Sequence, residues 1–89
     1  MTSTASTAIS VRVLLFARFA ELAGTDVYRA TVRTPATVAD VLDVLRAALP
    51  GAGALPERPL CALNAEQARL EDLVADGDEV AVLPPLAGG

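Results

Sequence analysis

Apolar and polar positions alternate along residues 9–17. Ile9, Val11, Val13 and Leu15 share one face of an extended strand, and Ser10, Arg12, Leu14 and Phe16 share the other, because successive strand side chains point to opposite sides of a sheet. The second face turns apolar toward its end. Residues 18–23 predict a short helical turn that stops at Gly24, a residue free to take the left-handed conformation of a helix end. A second strand follows over residues 27–33, with Tyr28, Ala30 and Val32 inward and Arg29, Thr31 and Arg33 on a wet side.

The spacing then changes from two to three-and-four. Val38, Val41, Leu42, Leu45 and Leu49 fall on one stripe of a helix whose cap is Thr37 and whose first turn carries Asp40, near the positive end of the helix dipole. Pro50-Gly51 ends the run, and residues 50–59, with three prolines and two glycines, predict a surface loop. Residues 60–64 read as a third strand containing Cys61, and Leu70, Leu73 and Val74 suggest a helical turn within residues 66–75. Asp76-Gly77 marks a turn. Residues 79–83 form a last strand, Val80 and Val82 on one face and Ala81 and Leu83 on the other, until Pro84-Pro85 removes two backbone donors. The order strand, strand, helix, strand, turn, strand predicts an α+β domain with one main helix across a small mixed sheet.

Eighty-nine residues allow one domain, spanning residues 9–83, with residues 1–8 as a disordered Ser/Thr/Ala tail and residues 84–89 as an extended C-terminal tail. There is no His and no Lys, and Cys61 is the one cysteine. These absences remove His-based triads, His or multi-Cys zinc sites and internal disulfides. Cys61 reads as a small buried hydrophobe. Seven scattered arginines against eleven acids, net charge −4, argue against nucleic acid as a partner. The most apolar stretch, residues 9–23, contains Arg12, Arg18 and Glu21 and falls short of the roughly 20 residues needed to cross a bilayer. With no secretory pattern at the start, a cytoplasmic protein is expected. Glu71, Asp72, Asp76, Asp78 and Glu79 gather before the last strand, either as a solvated turn or as a patch that steers a basic partner.

Chemistry concentrates at the end of the chain. In Leu83-Pro84-Pro85-Leu86-Ala87-Gly88-Gly89 two prolines hold the backbone extended and the last two residues lack side chains, so a thin thread ends in a carboxylate. The six residues from Pro84 to Gly89 reach at most roughly 20 Å, enough to enter a slot in another protein.

The run Val13-Leu14-Leu15-Phe16-Ala17-Arg18, then Glu21-Leu22-Ala23-Gly24, Asp76-Gly77-Asp78-Glu79-Val80 and the closing Pro84-Pro85-Leu86-Ala87-Gly88-Gly89 resemble the small subunit of molybdopterin synthase, the MoaD type. The similarity spans residues 9–89, with Ala20 where many relatives carry Arg and Leu86 where the tail usually has Val. The resemblance implies a ubiquitin-like β-grasp fold and a sulfur carrier. Gly89 would be adenylated by a ubiquitin-activating-like adenylyltransferase using ATP, then converted to a thiocarboxylate by a sulfur-relay protein; no cofactor or metal would be bound. The tail would enter the large subunit, in an assembly expected to be a heterotetramer, and deliver sulfur to cyclic pyranopterin monophosphate. Catalytic acids and bases would lie on that partner. The same fold sets Phe16 beside Leu83 on the face away from the helix, and Phe16, Leu83, Pro84, Pro85, Leu86, Ala87 and Gly88 are the expected partner contacts. A sulfur carrier for thiamine or cysteine synthesis, a ubiquitin-like modifier and a plain interaction module are the alternatives.

Overall fold

Burial follows the alternation of the first strand. In the computed structural model, which describes residues 7–84, strand β1 (Ala8–Leu15) buries Ile9, Val11, Val13 and Leu15 and turns Arg12 and Leu14 to the opposite face. Thr7 and Ala8 belong to the sheet end and not to the N-terminal tail expected over residues 1–8. The Thr34 N–H donates to the Thr7 carbonyl at 2.9 Å, the Thr7 N–H donates to Thr34 Oγ1 at 3.2 Å, and Ala8 pairs with Arg33. Residues 1–6 and most of the C-terminal tail, residues 85–89, lie outside the described residues.

After β1 the chain reverses through α1 (Ala17–Ala23), which buries Phe19 and ends at Gly24 with φ 81°. Strand β2 (Val27–Arg33) runs back antiparallel to β1 with Ala30 and Val32 buried and Tyr28 partly buried against the core, the inward set expected from the pattern. Two residues of strand, β3 (Ala36–Thr37), lead into α2 (Val38–Ala48). Thr37 Oγ1 accepts from the Asp40 N–H at 3.2 Å and Asp40 Oδ2 accepts from the Thr37 N–H at 2.9 Å, a reciprocal cap that satisfies donors the helix leaves open. Val38, Val41, Leu42 and Leu45 of α2 pack on the inner face of the sheet.

The Pro- and Gly-rich loop is more ordered than its composition suggests. Residues Pro50–Ala54 form a 3-10 turn whose Ala52 is buried. Strand β4 (Leu60–Leu63) then turns sharply through Asn64 and Ala65, both with positive φ (52° and 74°), into β5 (Glu66–Ala68). The helical turn expected within residues 66–75 is absent. That segment is β5, a turn and the two-residue strand β6 (Leu73–Val74), which pairs with β3. Its carbonyls serve the main helix, because the Val38 and Ala39 N–H groups donate to Asp72 and Leu70 oxygens at 2.9 and 3.0 Å. Strand β7 (Glu79–Leu83) closes the fold with Val80 and Val82 buried.

The main sheet has the order β2-β1-β7-β4-β5; β1 and β7 are parallel and the other neighbours antiparallel. Among the described residues the architecture is α+β, with two α-helices and a second, two-stranded sheet beside the mixed sheet expected. Among the described residues no helix is long and apolar enough to cross a membrane.

Candidate functional site

The last strand occupies the middle of the sheet, so the chain leaves the domain from the centre of one sheet end, through Leu83 and Pro84. What surrounds that exit follows from register. Leu14 is opposite Val27 on one side and level with Ala81 on the other; Ala81 is opposite Ala62, and Ala62 opposite Gln67. These five positions form one row across the outer face. Residues one strand position inward carry Val13, Val80 and Leu63 and belong to the core side. The next outer row, closer to the exit, has Leu83 directly opposite Leu60.

Phe16 completes that second row. Leu15 is level with Val82, and Phe16 keeps an extended backbone (φ −124°, ψ 150°), so it stands level with Leu83 on the adjacent strand and faces outward. The helix α1 begins immediately after it, and the Phe16 carbonyl accepts from the Phe19 N–H at 2.9 Å. Phe16, Val27 and Leu60 remain 43%, 44% and 45% exposed, while Leu14, Ala81 and Leu83 are half-buried. Ala62 and Ala81 contribute only methyl groups, which makes a shallow floor. An open hollow of about 420 Å³ lies beside it, lined mainly by Leu60, Ala62, Ala65, Gln67 and Leu83. A smaller one of about 140 Å³ is lined by Phe19, Pro56, Arg58, Pro59, Leu60 and Leu83. A contiguous apolar area bordered by polar residues is the signature of a protein interface.

The opposite end of the outer face is polar. Arg12 stands across from Arg29 and level with Glu79, to which its Nη2 donates at 2.6 Å. The acidic cluster is largely consumed by the fold. Asp76 Oδ1 accepts from the Ser10 N–H, Asp78 Oδ2 from the Ala75 N–H, Asp78 Oδ1 from Asn64 Nδ2, and Asp72 Oδ2 from the Arg69 N–H. Glu71 accepts from Arg58 Nη2 at 3.2 Å. Its carboxyl is held below the usual carboxylate range by a hydrogen bond within its own residue first and by Arg58 second. These bonds make the cluster a turn-building element, and they leave its negative charge in place.

Cys61 lies on the core side of β4, opposite Val82 and Ala68, and is 2% exposed. Burial pushes its thiol from 9.0 up to about 11, against the opposing pull of Arg46. Alkylation by iodoacetamide at pH 8 is expected to be at least about a hundredfold slower in the folded chain than in the unfolded one, since only the thiolate reacts; equal rates in urea and in buffer would refute the burial. Among the described residues no group of three or more His, Cys, Asp or Glu side chains is arranged to hold a metal.

Of the expected site residues, the fold therefore brings Phe16, Leu83 and Pro84 together at the tail's exit, while Pro85, Leu86, Ala87, Gly88 and Gly89 lie outside the described residues. Leu60, Val27, Leu14, Ala62 and Ala81 join the same face and were not singled out by the sequence. Their alternation is visible, but the adjacency of β4 to β7 is a property of the sheet order alone.

A family model described as the ThiS family matches residues 13–89. The chain belongs to the ThiS family. The molybdopterin synthase sulfur carrier subunit of Chlamydomonas reinhardtii is 37% identical over 83 residues, covering 91% of this chain and 100% of that protein. The crystal structure of small archaeal modifier protein 1 from Haloferax volcanii superposes with a TM-score of 0.77 at 39% identity, covering 90% of this chain and 99% of the other. A chain in the complex of subunits 1 and 2 of the molybdopterin-converting factor from Helicobacter pylori aligns with a TM-score of 0.56 at 25% identity, covering 91% and 100%. The α+β sheet described above is thus the ubiquitin-like β-grasp of this family, with the matched region reaching through the Gly-Gly end.

Proposed function

We propose that this ThiS-family chain is the sulfur carrier subunit of a molybdopterin synthase, bearing sulfur as a thiocarboxylate on Gly89. The observation that carries the reading is the placement of the apolar rows Leu14-Ala81-Ala62 and Phe16-Leu83-Leu60 at the end of the sheet from which the Gly-Gly tail departs. A partner that covers these rows receives the tail in the same act. The likeness to the Chlamydomonas reinhardtii molybdopterin synthase sulfur carrier subunit agrees with it, as does the two-subunit complex in which the Helicobacter pylori chain is found.

The chemistry divides between chains. A carboxylate is a poor electrophile, so a ubiquitin-activating-like adenylyltransferase first joins Gly89 to AMP from ATP, and a sulfur-relay protein then displaces AMP with sulfur. This sequence of steps belongs in the cytoplasm, where ATP is supplied. The large subunit, in a heterotetramer, provides the acid and base groups for transfer to cyclic pyranopterin monophosphate. The carrier supplies the atom and its position, a task for which it needs no His or Lys. The 40% identity to small archaeal modifier protein 1 of Haloferax volcanii favours one second reading, attachment of Gly89 to other proteins through the same activated carboxyl.

Docking is tested at Phe16. The substitution Phe16→Asp is expected to raise the dissociation constant for the large subunit more than tenfold, about 1.4 kcal/mol or more. The melting temperature should hardly change, because the side chain is 43% exposed. A dissociation constant equal to that of the unaltered chain would remove the apolar face from the interface.

A further inference from the structure

An activated carboxyl reacts with any amine or thiolate it meets, so a carrier of one has to answer what its own surface offers. All seven cationic side chains of this chain are arginines, and six of them, Arg12, Arg18, Arg29, Arg33, Arg58 and Arg69, are exposed. A guanidinium keeps its proton in proteins and is no nucleophile, whereas a lysine in the same place would present a primary amine. There is no imidazole to act as nucleophile or to activate a hydroxyl. The single thiol, Cys61, points into the core between the chains of β7 and β5 and is 2% exposed, on the sheet face opposite the apolar rows. The remaining Ser, Thr and Tyr hydroxyls are weak nucleophiles without a base beside them.

We infer that the chain is a self-inert acyl carrier as far as its side chains go: none of them accepts the activated carboxyl of Gly89, so activated copies never grow into side-chain-linked polymers of this protein. This deepens the proposed function and rests on it for the activation step. In that step a Gly89 carboxylate oxygen attacks the α-phosphorus of ATP and pyrophosphate leaves. An amine attacking the resulting acyl-adenylate would form a C–N bond, break the C–O bond to AMP and lose its proton to solvent. Without a side-chain amine, water takes that place and Gly89 is regenerated. The arginines keep the positive charge of the surface while removing this competing route, for either destiny of the tail, sulfur transfer or attachment to another protein.

The test separates self-reactivity from activation. Full-length chain is prepared with Gly89 as a thioester of a small thiol and with its α-amine acetylated, then held concentrated at pH 8 and followed by intact mass. The unaltered chain is expected to give hydrolysed monomer alone. Arg18→Lys and Arg33→Lys, at exposed positions that make no ion pair among the described residues, are expected to give covalent dimers at least about tenfold faster, with the isopeptide bond mapped to the new lysine. Dimers of the unaltered chain joined through an internal residue would overturn the inference, and so would lysine variants as inert as the parent. A parallel assay of ATP–pyrophosphate exchange with the activating enzyme reads the proposed function itself. Absent exchange there would defeat that function while the thioester result still decides the inertness.

Discussion

Removal of Gly89 is expected to lower sulfur delivery at least about a hundredfold in a reconstituted system of large subunit and pterin precursor, because a misplacement of even 1 Å at a reacting centre can cost that much. The chain without Gly89 still ends in a carboxylate, now on Gly88, but its reach shortens by about 3.3 Å. The carboxyl to be activated and the sulfur to be transferred would both stop short of the partner's reacting groups. Stability gives the control. Among the described residues every core residue lies between Ile9 and Val82, so loss of the terminal residue should leave the melting temperature within about 1 °C. Unimpaired delivery by the shortened chain would mean that the tail's length is not what positions the sulfur.

Gly51→Ala is expected to destabilise the domain by about 3 kcal/mol or more, a large share of the roughly 5–15 kcal/mol available to a domain. A Cβ at Gly51 would stand 1.5 Å from the Leu22 carbonyl oxygen and 2.7 Å from its carbon. Both atoms are backbone, at the end of α1, and cannot rotate away as a side chain would. The 3-10 turn would have to lift off α1 and carry the buried Ala52 with it. The melting temperature should fall by roughly 12 °C or more, at about 4 °C per kcal/mol for a domain of this size. Gly53→Ala, two residues on, meets nothing within 4 Å and is expected to cost less than about 0.5 kcal/mol. Equal melting of the two variants would contradict the close approach. Because α1 starts directly after Phe16, Gly51→Ala should also weaken docking, by displacing the aromatic ring that borders the tail's exit.

Local signals were legible where each was complete within a few residues. The alternation of β1, β2 and β7, the Thr37–Asp40 cap and the stop at Gly24 could all be read from neighbours in sequence, as could the bare Gly-Gly end. Residues 64–75 were not, for two physical reasons. The β4–β5 hairpin turns through Asn64-Ala65 with both φ positive, where the usual signal is a glycine in the second place. Leu70, Leu73 and Val74 fall at helical spacing, yet a two-residue strand pairing with β3 is too short to show any period. Gly51 carried a signal that was read too narrowly. It marks the end of a helix in sequence, and in space it is also the place where two backbones meet. The apolar face was half visible: the family resemblance places Phe16 beside Leu83, while Leu60 and Val27 required the order of the whole sheet.

Whether Gly89 is the group this domain presents is read from its intact mass after incubation with an activating enzyme, ATP and a sulfur source. A gain of about 16 Da is expected, oxygen replaced by sulfur at the activated carbon, located by fragmentation on the last residue. A mass that stays unchanged while ATP is consumed, or an added sulfur found on Cys61, would contradict it.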